Sequence, residues 1–184
     1  MIYPIVIYGS PVLRKVAQEI DKDYPNLNEF IDHMWETMYV SDGVGLAAPQ
    51  VGKSVRLFVI DASPFEENEP HLKDFKKVFI NAKMVEKSDD SVTINEGCLS
   101  IPLLREDISR PSKIRLEYYD ENFNFHEEWF EGMAARVIQH EYDHTEGILF
   151  TDKVAPIKKR LLKGKLMAIS KGKFSVDYKV KLPK

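Results

Sequence analysis

His140 and His144 stand four residues apart in Gln139-His140-Glu141-Tyr142-Asp143-His144. On a helix that spacing stacks both imidazoles on one face, one turn apart, where they can grip the same metal ion. Glu141 sits beside the first histidine, within reach of water activated there. Met133, Val137, His140 and His144 share one helical stripe, so the histidines continue a core-facing side. A chance match or a buried, hydrogen-bonded histidine pair would give the same letters, so a further ligand has to be found.

A catalytic divalent ion takes about three protein ligands and keeps one position open. The remaining histidines are poor candidates: His33 lies off its helix's apolar stripe, His71 is in a charged stretch, and His126 is in a hairpin. Cys98, the only cysteine, excludes an internal disulfide and stands in Glu96-Gly97-Cys98-Leu99-Ser100. A lone cysteine is by default a small buried hydrophobe. The preceding glycine lets its backbone approach another element, and a thiolate is a good soft donor for zinc or iron(II). A Cys98-His140-His144 site is the economical reading.

Two other segments carry motif-like spacing. Gly43-Val44-Gly45-Leu46-Ala47-Ala48-Pro49-Gln50 imitates a dinucleotide fingerprint. That fingerprint requires a strand before it and a helix after it, whereas here a helix precedes and Pro49 interrupts. The segment instead offers backbone N–H groups on a glycine-rich turn and a nearby side-chain amide, which suit an oxyanion or an extended peptide. Asp120 to Glu131 has calcium-loop spacing, but Phe125 occupies the obligatory glycine position and the flanks read as strands.

The elements that must position these residues are legible in outline. Ser10-Pro11 opens a short helix toward Ala17. Asn26 with Glu29 resembles a capping box, ahead of an apolar stripe from Leu27 to Met38 and a stop at Gly43. Val55–Ile60 and Val78–Asn81 read as strands, and Pro64 to Lys77 as a polar surface loop. Ile114–Tyr118, a turn at Asp120–Asn122, and Phe123 with Phe125 make a hairpin. A helix follows from about Glu131 to Thr145, stopped by Gly147. A basic amphipathic helix runs from about Pro156 to Ser170, and Phe174–Val180 alternates like a late strand. The class is α+β in one domain spanning 1–184, with mostly antiparallel sheets packed around the histidine-bearing helix.

Composition bounds the function. The chain has 184 residues, 43% hydrophobic and 11% aromatic, which suits one folded globular domain rather than a disordered or fibrous chain. No apolar run approaches the ~20 residues that span a bilayer, and the N-terminus lacks the basic stretch and cleavage site of a signal peptide. A cytoplasmic protein is expected. The net charge of −3 is uneven: from Thr151 onward there are 11 Lys/Arg against 2 Asp/Glu. A basic C-terminal region on an acidic body points to an anionic partner such as RNA, or simply to a solvated helix face.

Taken together and in this order, the Gly43–Gln50, Glu96–Ser100 and Gln139–His144 segments resemble the three signature motifs of peptide deformylases. The resemblance runs from Pro11-Val12-Leu13-Arg14 to about Phe150, and the Pro64–Lys77 loop and last thirty or so residues match only loosely. It implies a hydrolase that removes the formyl group from the N-terminal formyl-methionine of nascent polypeptides and releases formate. Cys98, His140 and His144 would bind one divalent ion, usually iron(II), with zinc, nickel or cobalt able to substitute. Glu141 would be the general acid/base, and the Gln50 amide with the Leu99 N–H would stabilise the tetrahedral intermediate. Gly45 would hydrogen-bond the substrate backbone, while Val44, Ile94, Met133 and Val137 would line the methionine pocket. Glu96 and Arg105 would lie at the site's edge.

Two positions depart from the family pattern. Thr145 replaces a frequent leucine, and Arg136 is polar within pocket wall, so its stem is expected to pack while its head reaches solvent. Two other functions share parts of the pattern. A zincin-like metallopeptidase would need a downstream third ligand, for which Glu146 is the candidate. A non-enzymatic protein would hold a structural metal site, or be a relative that only binds nascent chains or ribosomes. Intact Glu141 and Gln50 argue against a dead enzyme, and the basic C-terminal region is then expected to dock the enzyme on ribosomal RNA.

Overall fold

The computed structural model describes residues 1–184. The chain runs β1 (Ile5–Val6), α1 (Leu27–Val40), β2 (Gly45–Ala47), β3 (Leu57–Asp61), β4 (Lys76–Lys87), β5 (Ser91–Cys98), β6 (Ile101–Pro111), β7 (Lys113–Tyr119), β8 (Phe125–Glu131), α2 (Gly132–Thr145), α3 (Pro156–Ser170) and β9 (Val180–Lys181). Five strands form an antiparallel sheet in the order β2-β3-β4-β7-β8. A second antiparallel pair joins β5 to β6, and a short parallel pair joins β1 to β9. This is the expected α+β class with mostly antiparallel sheets.

The helices follow their apolar spacing. In α1, Leu27, Phe30, Ile31, Met34 and Met38 are buried, as a stripe repeating every three to four residues requires. In α2, Ala134, Ala135 and Ile138 bury one side against the five-stranded sheet, where Phe58, Phe79, Tyr118 and Phe130 fill the space. Phe79 packs at 4.9 Å from the Phe58 ring and 4.5 Å from that of Tyr118. Burying each such ring contributes roughly 1.5–3 kcal/mol. A second apolar cluster joins α1, β1 and α3 to the opposite side of the site.

Several local expectations are corrected. The Ser10-Pro11 start yields only a 3-10 turn at Pro11–Arg14, because the Ala17 N–H leaves the helical path to meet the Thr145 carbonyl at 2.8 Å. Asn26 does precede α1, but its left-handed backbone (φ 56°) carries no side-chain cap, so the capping box is not made. The Gly43–Gln50 segment is not a free turn: Gly45–Ala47 is a strand at the edge of the sheet, and Ala48–Val51 is a 3-10 turn. The Glu96–Ser100 motif sits at the end of an antiparallel hairpin, β5–β6, that local sequence does not signal. In the tail, strand pairing is confined to Val180–Lys181.

The loop before β4 has a structural task. Leu72 is buried, and the Glu69 carboxylate accepts the Met133 N–H at 2.9 Å, so the loop caps the first turn of α2. At its other end α2 is stopped by Gly147, whose φ of 72° and contact with the Arg14 carbonyl exclude any side chain. The helix is thereby held at both ends.

Candidate metal centre and substrate cleft

Two elements, β5 and α2, meet at one point. Cys98 ends β5, at the place where the β5–β6 register breaks after Gly97. His140 and His144 come from α2, one turn apart. Their donor atoms and the cysteine sulfur all lie within 4.8 Å of one another, with Sγ 3.4 Å from His144 Nε2. Sulfur and nitrogen bound to one tetrahedral ion sit about 3.5 Å apart, given bonds of roughly 2.3 and 2.0 Å. The donor set therefore fits a single divalent cation, and the thiolate/imidazole combination suits zinc or iron(II).

Electrostatics favour a cation here. Burial opposes a charge on His140, but Cys98 and the Glu96 carboxylate outweigh it and hold the imidazole up at about 10. Burial and the neighbouring His140 push His144 well down. The pocket is thus arranged to keep one positive charge, and a bound metal ion would take the place of that proton. His144 Nδ1 is buried without a partner.

Behind the histidine lies a buried ion-pair network. Glu96 Oε1 accepts from His140 Nδ1 at 2.9 Å and from Arg110 Nη2 at 3.0 Å. Its Oε2 lies 2.7 Å from both Arg110 Nε and Arg136 Nε. Arg110 continues to Asp143 at 2.7 Å. Burial alone would raise the Glu96 carboxyl, yet His140 and Arg110 hold it down at about 2. Glu96 is 7% exposed and backs the candidate ligand His140 while its edge still reaches the cleft. Arg136 is also corrected: its head stays inside, donating to the carbonyls of Val92, Ile94 and Ile108.

In front of Cys98 and His140 opens a cleft of about 770 Å³. Val44, Ile94, Met133 and Val137 line it, as do Gly45, Leu99, Arg105 and the edge of Glu96. Glu141 lies in the same cleft, 5% exposed, with Oε2 lacking any protein partner. Desolvation raises its carboxyl to about 7. A Cβ on residue 45 would fall 2.7 Å from Glu141 Oε1, so the glycine makes room for that carboxylate. Gln50 is fixed by the Ala47 N–H donating to its Oε1 at 2.9 Å, which turns its Nε2 toward Cys98 Sγ (3.5 Å) and Ser100 Oγ (3.2 Å).

With this geometry in view, the chain can be set beside known proteins. The model of the polypeptide deformylase family matches residues 2–160. The chain belongs to the polypeptide deformylase family. Among relatives, a peptide deformylase from Christiangramia forsetii is 56% identical, the match covering 100% of this chain and 97% of that protein. Among solved structures, peptide deformylase from Thermotoga maritima has a TM-score of 0.76 at 41% identity, covering 85% of this chain and 99% of that one. A peptide deformylase from Legionella pneumophila has a TM-score of 0.81 at 33% identity, covering 94% of this chain and 98% of that one. As a deformylase, this chain is an enzyme that removes N-formyl groups from peptides.

The deformylase reading leaves no place for the peptidase ligand set. Glu146 pairs with Arg56 at 2.8 Å instead of joining the histidines. The other histidines are also accounted for: His126 pairs with Asp120 at 2.7 Å, His33 packs against Tyr3, and His71 is exposed. No helix is long and apolar enough to cross a membrane.

Some residues of the deformylase site carried no sequence signal. Arg110 lies on β6 among alternating charges, with nothing local to mark it as buried. Phe65, from the loop before β4, reaches the cleft, and so do Val176 and Tyr178 from the tail. Tyr178 donates its hydroxyl to the Leu99 carbonyl at 2.9 Å. Burial raises that hydroxyl to about 12, which keeps it a donor at neutral pH.

Proposed function

We propose that the cleft hydrolyses the formyl amide of N-formyl-methionyl nascent chains in the cytoplasm, with one divalent ion held by Cys98, His140 and His144. The observation that carries this reading is the close triangle of those donors beside the partnerless carboxylate of Glu141. Iron(II) is the cellular ion, and zinc, nickel or cobalt can replace it. When bound, the ion supplies Lewis-acid activation of water and of the formyl oxygen.

The residues divide the remaining work. The extended substrate lies along the edge strand β2, where the Gly45 backbone hydrogen-bonds it in the manner of an added strand. Val44, Ile94, Met133 and Val137 receive the methionine side chain, and Arg105 and Glu96 bound the cleft. Glu141 takes a proton from the attacking water, whose oxygen bonds to the formyl carbon. The Gln50 amide and Leu99 N–H donate to the oxyanion that develops. Glu141 then passes the proton to the methionyl nitrogen as the C–N bond breaks, giving formate and a free N-terminus.

Formate release from formyl-Met-Ala-Ser by anaerobically purified protein, with metal measured on the same sample, tests this. Rapid turnover with about one ion per chain, abolished by Cys98→Ala, is the expected result. Bound metal without formate would refute it. A second part of the reading concerns α3, whose Lys158, Lys159, Lys163 and Lys165 are exposed. This face docks on ribosomal RNA near the emerging substrate. Affinity for ribosomes should then fall steeply with salt and vanish on deletion after Pro156, and binding indifferent to both would end the idea.

A further inference from the structure

The Cys98–Ser100 turn is tied to three distant parts of the chain. It follows the register break of the β5–β6 hairpin, so the ladder does not fix it on its own. Ser100 is held through its side chain by Gln50 (3.2 Å) and through its carbonyl by the Tyr8 N–H (2.8 Å). The Leu99 carbonyl is held by Tyr178, 79 residues away in sequence. Tyr178 is itself anchored, because Val180 and Lys181 pair with β1 and the Ile5 N–H donates to the Lys179 carbonyl at 2.8 Å. Ser175 to Tyr178 line the same cleft as Gly45, Leu99 and Glu141.

We propose that Tyr178 is a positioning residue for the hydrolysis: its hydroxyl fixes the Leu99–Ser100 peptide and so holds the Cys98–Ser100 turn in the conformation that aims the Leu99 N–H where the oxyanion develops. This rests on the role given to Leu99 above. The physical reason is that a preorganised donor works only if it need not move as charge develops. The bonded carbonyl belongs to the Leu99–Ser100 peptide and the N–H to the preceding Cys98–Leu99 peptide. The restraint therefore acts through φ and ψ of Leu99, which are limited once Cys98, the Leu99 carbonyl and Ser100 are each held. The C-terminal tail then belongs to the catalytic apparatus, alongside any docking role of α3.

The test is Tyr178→Phe, which keeps the ring and removes only the hydroxyl. Metal-loaded wild type and variant are compared by steady-state kinetics on formyl-Met-Ala-Ser and by amide exchange at Leu99 and Ile101. Outright loss of an oxyanion donor costs ~10²–10³ in kcat, so a loosened one should cost about 10-fold with KM within about twofold. Exchange in the turn should quicken. An unchanged kcat overturns the proposal, and so does a rise in KM alone, which would make Tyr178 a simple substrate contact. No formate from the wild type would refute the hydrolytic reading itself, and is seen before any variant is compared.

Discussion

His140 Nδ1 lies 2.9 Å from Glu96 Oε1, and the carboxylate's remaining contacts are all with arginines. A carboxylate can only accept, so Nδ1 carries the proton and Nε2 is left facing Cys98 and the metal position. The pair sets both the tautomer and the orientation of a ligand. Glu96→Gln should therefore weaken metal binding by roughly 10–100-fold, read by competition with a chelator. Unaltered affinity would mean the ring is held by packing alone.

The same carboxylate makes stability acid-sensitive. Its pKa falls from an ordinary 4.5 to about 2 in the folded chain. The unfolded chain thus binds the proton first as pH drops, and the stabilisation present above 4.5 is lost between there and 2. Thermal unfolding of wild type should lose a few kcal/mol across that window. A Glu96→Gln protein should show a flatter profile. Identical profiles would assign the acid sensitivity elsewhere.

Glu141 titrates in the opposite sense. Burial raises its carboxyl to about 7, which disfavours the charged form a general base needs. A cation bound nearby lowers that value, so activity should decline on the acid side with a midpoint at or below pH 7. Glu141→Gln should retain metal and lose about 10²–10⁴ in kcat. Near-normal turnover in that variant would remove Glu141 from the proton path.

Gly45→Ala probes the contact between β2 and α2. The added methyl would lie 2.7 Å from Glu141 Oε1 and 2.8 Å from its Cγ, so the side chain must move. A displacement near 1 Å costs about 10²-fold in rate. We expect that loss in kcat with metal content intact. A wild-type rate would show that Glu141 can act from a second position.

Glu69→Ala addresses the cap on α2. Removing the acceptor of the Met133 N–H should destabilise the chain by about 1 kcal/mol. For a chain of this size that lowers Tm by roughly 2–4 °C. Calorimetry showing no change would mean water replaces the carboxylate without loss.

Much of this was readable in the letters because it is periodic. The stripes in α1 and α2, the Pro156 start of α3 and the β7–β8 turn are local signals. The three helices formed within a residue or two of their expected bounds, while the returning strand starts only at Phe125 and runs to Glu131, with Phe123 (φ 56°) still in the turn. The His-x-x-x-His spacing on a helix guaranteed two imidazoles on one face. Other features were not local. Asn26 had the right type for a cap but a left-handed backbone. The β5–β6 hairpin hid behind alternating charges and Pro102. The short register of β9 depends on β1, at the far end of the chain.

The sequence by itself determined the candidate donor types, their order and the helix that presents two of them, because those follow from residue chemistry and a 3.6-residue repeat. Tertiary structure alone decided that Cys98 meets the histidines, that Arg136 and Arg110 turn inward to Glu96, and that Phe65 and Tyr178 reach the cleft. Each is a contact between segments distant in sequence. Such contacts depend on how sheets, loops and tail pack together, and no short window of residues encodes that.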